Sequence, residues 1–314
     1  MTGYLIRRIL QSILVVVLVS IVTFLLIHLL PGGPARAILG PKATALQIHQ
    51  FIVQNGYDKP IWVQYGIWAG QVLHGNFGYS IPLNQNVSAI ISDRLPKTLV
   101  LMGISILVAL IVAIPLGIYQ ARKRNTIGDY VATGLSFVFY AMPSFLLGLL
   151  LILIFSTDLG LLDPTAPQTG NVLQILSQGQ DLILPIATLA LITIASFSRY
   201  TRSTVMENLT QEYVRTALAN GATNARVIMS HVLRNALIPI VTLLGLSLPS
   251  LVAGAAITEY VFNYPGMGYI FFKEAQIQDY PTILGITLVV GVATVLGSLL
   301  ADIAYAVLDP RVKY

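Results

Sequence analysis

Six apolar runs, each close to the length that crosses a bilayer, decide what this chain can become: residues 9–30, 98–119, 134–156, 182–200, 236–257 and 282–307. A hydrocarbon layer about 30 Å thick takes about 20 helical residues to cross. Inside it every backbone N–H and C=O must be paired within the chain, so these runs are expected to be helices. Pro115, Pro143, Pro185, Pro239 and Pro249 fall within them. Each proline frees a carbonyl that neighbours must satisfy, which implies a packed bundle. At Pro143 a neighbouring Ser is expected to take up that role within one continuous span. Composition agrees, since a soluble domain with 55% hydrophobic and only 10% charged residues could not wet its surface. The expected fold class is an all-α polytopic membrane protein with six transmembrane helices.

Lys and Arg placement sets the orientation. One side receives Arg7, Arg8, Arg122, Lys123, Arg124, Arg199, Arg202, Arg215, Arg226, Arg234, Arg311 and Lys313. The other receives Arg36, Lys42, Lys59, Arg94, Lys97 and Lys273, mostly in one long loop of the kind that counts least. Both termini are therefore expected in the cytoplasm. Topology accounts for the net charge of +5 without nucleic acid. The first run has no small-residue cleavage site behind it and is expected to stay as a span. With no cysteine there is no disulfide framework, thiol nucleophile or thiolate metal site.

The long outer loop carries helix signals. Thr44 can cap a short helix with Ala45, Ile48, Phe51 and Ile52 on one face and Gly56 as its stop. Pro60 can start another, with Trp62, Tyr65 and Ala69 along one side, before Gly75 and Gly78. Trp62, Tyr65, Trp68 and Tyr79 suit a membrane interface. The loop can serve as a cap on the bundle or as a substrate contact. A division follows into 1–97, the first span plus outer loop, and 98–314, a five-helix core carrying a cytoplasmic loop at 201–235.

Enzyme chemistry finds no footing. The nearest approach to a GxxxxGK[ST] phosphate cradle, at 33–42, has the wrong spacing and two extra prolines. His28, His49, His74 and His231 are too scattered for a zinc pair. Ser136 has no histidine at similar depth for an intramembrane protease. The second to fifth spans hold no Asp, Glu, Lys or Arg before Arg199, so a self-powered secondary carrier lacks its usual intramembrane charge. Asp302, late in the sixth span, reads as a structural partner. Energy for transport is then expected from elsewhere, with no cofactor held by this chain.

The most informative stretch is 212–239, EYVRTALANGATNARVIMSHVLRNALIP. Val214, Ala217, Leu218 and Gly221 fall at helical spacing on one face. Gly221 is placed to end the helix in a left-handed conformation, and Asn224 to cap the next. Ala217, Ala219, Gly221 and Ala222 allow close approach, and Arg215 and Arg226 put charge beside them. Such a hairpin can lie on the membrane or dock a soluble partner.

This stretch resembles the cytoplasmic EAA-type loop of ABC importer permeases, with Gly221 at its fixed glycine and Arg215-Thr216 before Ala217 in place of the usual first positions. The run into His231-Val232-Leu233-Arg234-Asn235-Ala236-Leu237-Ile238-Pro239 is similar to the peptide and nickel branch. Further matches follow in order. They are Tyr4-Leu5-Ile6-Arg7-Arg8, the run 57–65, Gly75-Asn76-Phe77-Gly78 (Asp being commoner than Asn76), Met142-Pro143-Ser144-Phe145, and the run 259–268 with Pro265, Gly266 and Gly268. Asp279-Tyr280-Pro281 and Asp302 with Leu308-Asp309-Pro310-Arg311 complete them. Separately from the resemblance, 265–268 is expected to turn tightly, with Phe262, Tyr264 and Tyr269 as interfacial anchors, and Asp309-Pro310 to end the last span.

The resemblance implies a type I ABC importer permease fold in the inner cell membrane, of the first, B-type subunit of a dipeptide or oligopeptide importer. It implies a second homologous permease, one or two cytoplasmic ATPases that bind ATP and Mg, and an extracytoplasmic peptide-binding protein. It assigns ATPase coupling to Arg215, Thr216, Ala217, Gly221, Ala222 and Thr223. The same machinery could import nickel, glutathione or another small solute. A stand-alone channel or carrier is the reading from another class.

Overall fold

The computed structural model describes residues 2–30, 32–40, 42–168 and 170–308, with side chains for 6–300 apart from 31, 41, 169, 238, 246 and 248. Among the described residues four helices are long and apolar enough to cross a membrane: Ile6–Leu29, Val87–Arg122, Gly179–Leu209 and Tyr280–Leu300. Two bent pairs bring the number to six if each counts as one span: Ile127–Ala141 with Ser144–Asp158, and Asn224–Ala236 with Pro239–Ala253. Their outward faces are apolar, as at Leu14, Ile111 and Leu300, each more than half exposed. In a bilayer, lipid or a neighbouring subunit covers such side chains.

The third span corrects the sequence reading. Residues 134–156 do not form one helix with a bridged proline. The chain stops at Ala141, turns by 109°, and restarts at Ser144 with Pro143 in extended conformation at its N-terminus. Proline has no N–H to donate and fits the first positions of a helix, where none is needed. The second arm, Ser144–Leu151, then runs into π-helix over Ile152–Asp158. Such loosened turns relax the backbone ladder within otherwise regular helices.

The chain divides into two compact units. One comprises residues 1–99, 249–260 and 265–299. Within it the helices Ala45–Asn55 and Ile61–Leu73 follow the first span. Thr44 caps the former in a reciprocal capping box with Gln47, and Gly56 (φ +70) ends it. Gln64, Tyr65, Trp68 and Ala69, rather than Trp62, form the inward side of the second helix. Tyr65 and Trp68 pack on Phe24 at 5.4 and 5.6 Å, and the Ser20 and Tyr65 hydroxyls share a 2.8 Å hydrogen bond. A short hairpin pairs Tyr79–Ser80 with Gln85–Asn86. Val87, Ile90, Ile91, Met267, Ile270 and Ile286 form this unit's core.

The other unit comprises residues 100–248, 261–264 and 300–314. One of its cores gathers Leu101, Ile175, Leu182, Leu184, Phe262 and Tyr264. Phe262 and Tyr264 are fully buried there, so they are not interfacial anchors. The Phe262 carbonyl accepts the Ala166 N–H at 2.8 Å, which holds this segment inside. Helices Ile127–Ala141 and Ile183–Leu209 are joined by the Asp129–Arg202 ion pair, at 3.0 and 2.9 Å from the guanidinium to the two carboxylate oxygens. Asp129 also accepts the Asn125 N–H and the Thr133 hydroxyl, so its buried charge is matched.

Candidate functional site

Two places stand out: an open hairpin at 212–232 and a loop closed around Glu259.

The hairpin begins with the helix Glu212–Ala219. Val214 is buried, and it packs with Val205, Val227, Val232, Ala236 and Ala121, with Tyr213 and Ala217 against the same cluster. The apolar face is therefore satisfied by protein and does not need a membrane surface. Leu218, placed on that face by spacing, is 43% exposed. The helix ends in a Schellman arrangement: Ala222 N–H donates to the Ala217 carbonyl at 3.1 Å and Gly221 N–H to that of Leu218 at 3.0 Å. Gly221 adopts φ +82, the left-handed value expected of it. Thr223, not Asn224, caps the following helix Asn224–Val227 by accepting the Arg226 N–H at 3.4 Å. Thr223 is the last residue with extended backbone, which a cap requires, while Asn224 is already helical. π-helix follows over Ile228–Val232.

An open groove of about 600 Å³ runs along this hairpin, lined by Thr216, Ala217, Gly221, Ala222, Arg226 and His231 among others. Four of the six residues singled out from sequence thus line one surface. Arg215 and Thr223 are exposed beside them. Small side chains, two basic groups and an uncovered Leu218 make this face suited to a protein partner rather than to a reaction.

The other place was not singled out from sequence as a centre. Glu259, fully buried on the helix Ala256–Val261, accepts the Thr98 hydroxyl at 3.1 Å and the Tyr269 N–H at 2.9 Å. Thr98 in turn accepts the Met267 N–H at 2.7 Å. Side chains on Gly254 or Gly266 would collide with the Glu259 carboxylate, and one on Gly268 with the backbone of Ala256. Pro265, Gly266 and Gly268 therefore act as a wall shaped to one carboxylate. The Pro265 carbonyl also accepts from Arg94 at 3.2 Å. Burial raises the Glu259 pKa to about 6, although its donors pull the other way. The legible signal was a lone Glu after an uncharged run, followed within ten residues by Pro-Gly-Met-Gly.

Of the remaining signature residues, Pro143 sits at the 109° break and Asp302 on the helix Tyr280–Leu308. Asp309 lies outside the described residues. No cluster of three metal-ligating side chains occurs among the described residues. The unit that holds the outer loop has a cavity of about 310 Å³ lined by Phe24, His28, Tyr57, Trp68, Asn76 and Phe77 among others, with no Asp, Glu, Lys or Arg in its lining.

Four apolar helices and two bent pairs long enough to cross a membrane, with an open hairpin between them, describe a multi-pass membrane protein. The chain belongs to the family described as binding-protein-dependent transport system inner membrane component, which matches residues 113–314. The N-terminal component of the same kind of system matches residues 1–102. The chain is 40% identical to the oligopeptide transport system permease protein AppB of Bacillus subtilis, over all of both chains. It is 35% identical to the dipeptide transport system permease protein DppB of Escherichia coli, over 100% of this chain and 99% of that one. It is 37% identical to the glutathione transport system permease protein GsiC of Salmonella choleraesuis, over all of both. A solved chain of the inward-facing MetNI methionine ABC transporter shares the fold, with TM-score 0.56 and 18% identity over 73% of this chain and 99% of that chain. The protein is thus a multi-pass inner-membrane component of an ABC importer, a transport subunit working within a binding-protein-dependent system.

Proposed function

We propose that this chain carries short peptides, di- or oligopeptides, into the cytoplasm as one of two homologous permeases. One or two ATPases bind ATP and Mg below it, and an extracytoplasmic binding protein delivers the peptide. Relatives in AppB and DppB systems support the cargo. Both termini, and with them the 212–232 hairpin, lie on the cytoplasmic side, as the Lys and Arg distribution favours. The segment 216–223 is the lever on which the ATPases act, and Arg215 flanks it. The observation that carries this is the exposed groove beside a hairpin whose valines Val214, Val227 and Val232 are already buried while Leu218 stays uncovered. Force applied there reaches the span Gly179–Leu209 through the packed valines Val205, Val214 and Val227, because close-packed contacts transmit displacement rather than absorb it. Pro143, Pro265, Gly266, Gly268, Asp302 and Asp309 are framework positions.

The test is peptide uptake into liposomes holding the complete complex with Gly221→Val. Normal membrane insertion with lost ATPase association or lost uptake supports the lever. Unimpaired uptake refutes it. A second cargo is favoured by the GsiC relative: glutathione, itself a modified tripeptide. Competition between labelled dipeptide and glutathione for the binding protein separates the two.

A further inference from the structure

The span Gly179–Leu209 carries two arginines with opposite circumstances. Arg202 is neutralised by Asp129. Arg199, about one turn earlier, has no carboxylate partner among the described residues. Its guanidinium carbon instead lies 4.7 Å from the ring centre of Phe137 and 4.9 Å from that of Tyr140. Two aromatic faces hold the cation in place electrostatically while leaving its in-plane N–H donors open. Both rings are themselves more than half exposed, at 53% and 55%, so this clamp sits on an uncovered face.

The hydroxyls on that face behave differently from their neighbours. Thr188, Thr193, Thr201 and Thr204 each donate to the carbonyl four residues back, the usual way for a membrane helix to hide a hydroxyl. Ser196 and Ser203 make no hydrogen bond among the described residues, and both are at least partly exposed. Helical spacing puts Ser196, Arg199 and Ser203 on one stripe. Arg199 stands at the end of the 182–200 run that the Lys and Arg distribution assigns to the cytoplasmic side, where a cation is at home. Ser196, one turn deeper on the same stripe and with its hydroxyl unpaired, turns this face toward a water-filled path or a partner rather than toward hydrocarbon.

We propose that the Ser196–Arg199–Ser203 face lines the aqueous route through the assembled importer, and that Arg199 receives the C-terminal carboxylate of the passing peptide. The second half of this inference rests on the peptide cargo proposed above. A guanidinium matches a carboxylate with two parallel N–H···O bonds, and the aromatic clamp fixes the plane in which they form. The hydroxyls on either side supply neutral donors and acceptors along which the peptide backbone can slide without a deep trap.

The absence of cysteine makes the test direct, because any cysteine introduced is unique within this chain. In the complete complex, Ser196→Cys and Ser203→Cys are expected to react with a charged, water-soluble methanethiosulfonate reagent. Ser203 lies beyond the 182–200 run and should react in either case, so Ser196 decides: no reaction there, as expected if the face met lipid, overturns the lining role. Arg199→Cys is expected to slow uptake of a free-acid dipeptide by about tenfold or more per assembled complex, the worth of a charge-assisted pair. Attaching an aminoethyl group to that cysteine should restore uptake, and attaching a sulfonatoethyl group should not. Equal uptake with either adduct, or wild-type uptake by Arg199→Met, overturns the carboxylate role. If the wild-type complex moves no peptide at all, the cargo assignment and the carboxylate role fall together, while cysteine labelling still decides the face.

Discussion

Gly268 and Gly221 show two uses of a missing side chain. At Gly268 the space is already taken, since an added Cβ would meet the backbone of Ala256. At Gly221 there is open space all round, and only the left-handed backbone, φ +82, asks for glycine. The first region closes on itself: Glu259, Thr98 and the N–H groups of Met267 and Tyr269 satisfy one another out of solvent. The second buries Val214 but leaves Leu218, Arg215 and a groove uncovered. A region that completes its own bonding holds shape; one that leaves them incomplete invites a partner.

The largest test of this contrast is Gly268→Leu. It should destabilise the detergent-solubilised protein by about 3 kcal/mol or more, because backbone cannot yield as a side chain can. A melting temperature unchanged from wild type would break the comparison on its closed side.

Next comes the pH dependence of the Glu259 loop. Its pKa is raised from 4.5 to about 6 on folding, so the folded state holds the proton over a range where the unfolded state has released it. Stability from this group is therefore fully present below about pH 4.5 and is lost as pH rises through 6, by about 2 kcal/mol in all. Glu259→Gln, which keeps the shape but cannot ionise, should flatten that part of a denaturation-versus-pH profile. An unchanged slope would show the carboxylate is not the titrating group.

On the open side effects on stability should be smaller and effects on transport larger. Gly221→Val should cost about 1–2 kcal/mol for the left-handed backbone alone, yet abolish ATPase association in a co-purification assay. Loss of fold with retained association would reverse the contrast. Thr223→Ala removes one cap and should cost about 1 kcal/mol or less, read as a small shift in melting temperature.

How far the sequence could be read depended on how local each decision was. The Thr44 cap and the Gly56 stop were legible because a few adjacent residues settle them. The turn at Gly221 was legible for the same reason, although the cap beyond it passed to Thr223. Pro143 was misread as a bridged kink. A proline can bend a helix or end it, and the outcome depends on what packs on either side. Here Phe262 and Val261 lie against Gly148 of the second arm, a close approach that the sequence does not announce. Phe262 and Tyr264 were misread similarly, because aromatic side chains near a span end fit an interface or a core equally well.

The amino-acid order alone determined that this chain lives in a bilayer, roughly where its spans fall, and that a glycine-turned hairpin interrupts them. Charge, hydropathy and backbone handedness are properties each residue carries with it. The tertiary structure alone decided that Glu259 becomes the centre of a closed loop, that Leu218 stays uncovered, and that Arg199 meets two rings instead of an acid. Each of those depends on which distant segment arrives as neighbour, and burial, pairing and pKa are settled only by that arrival.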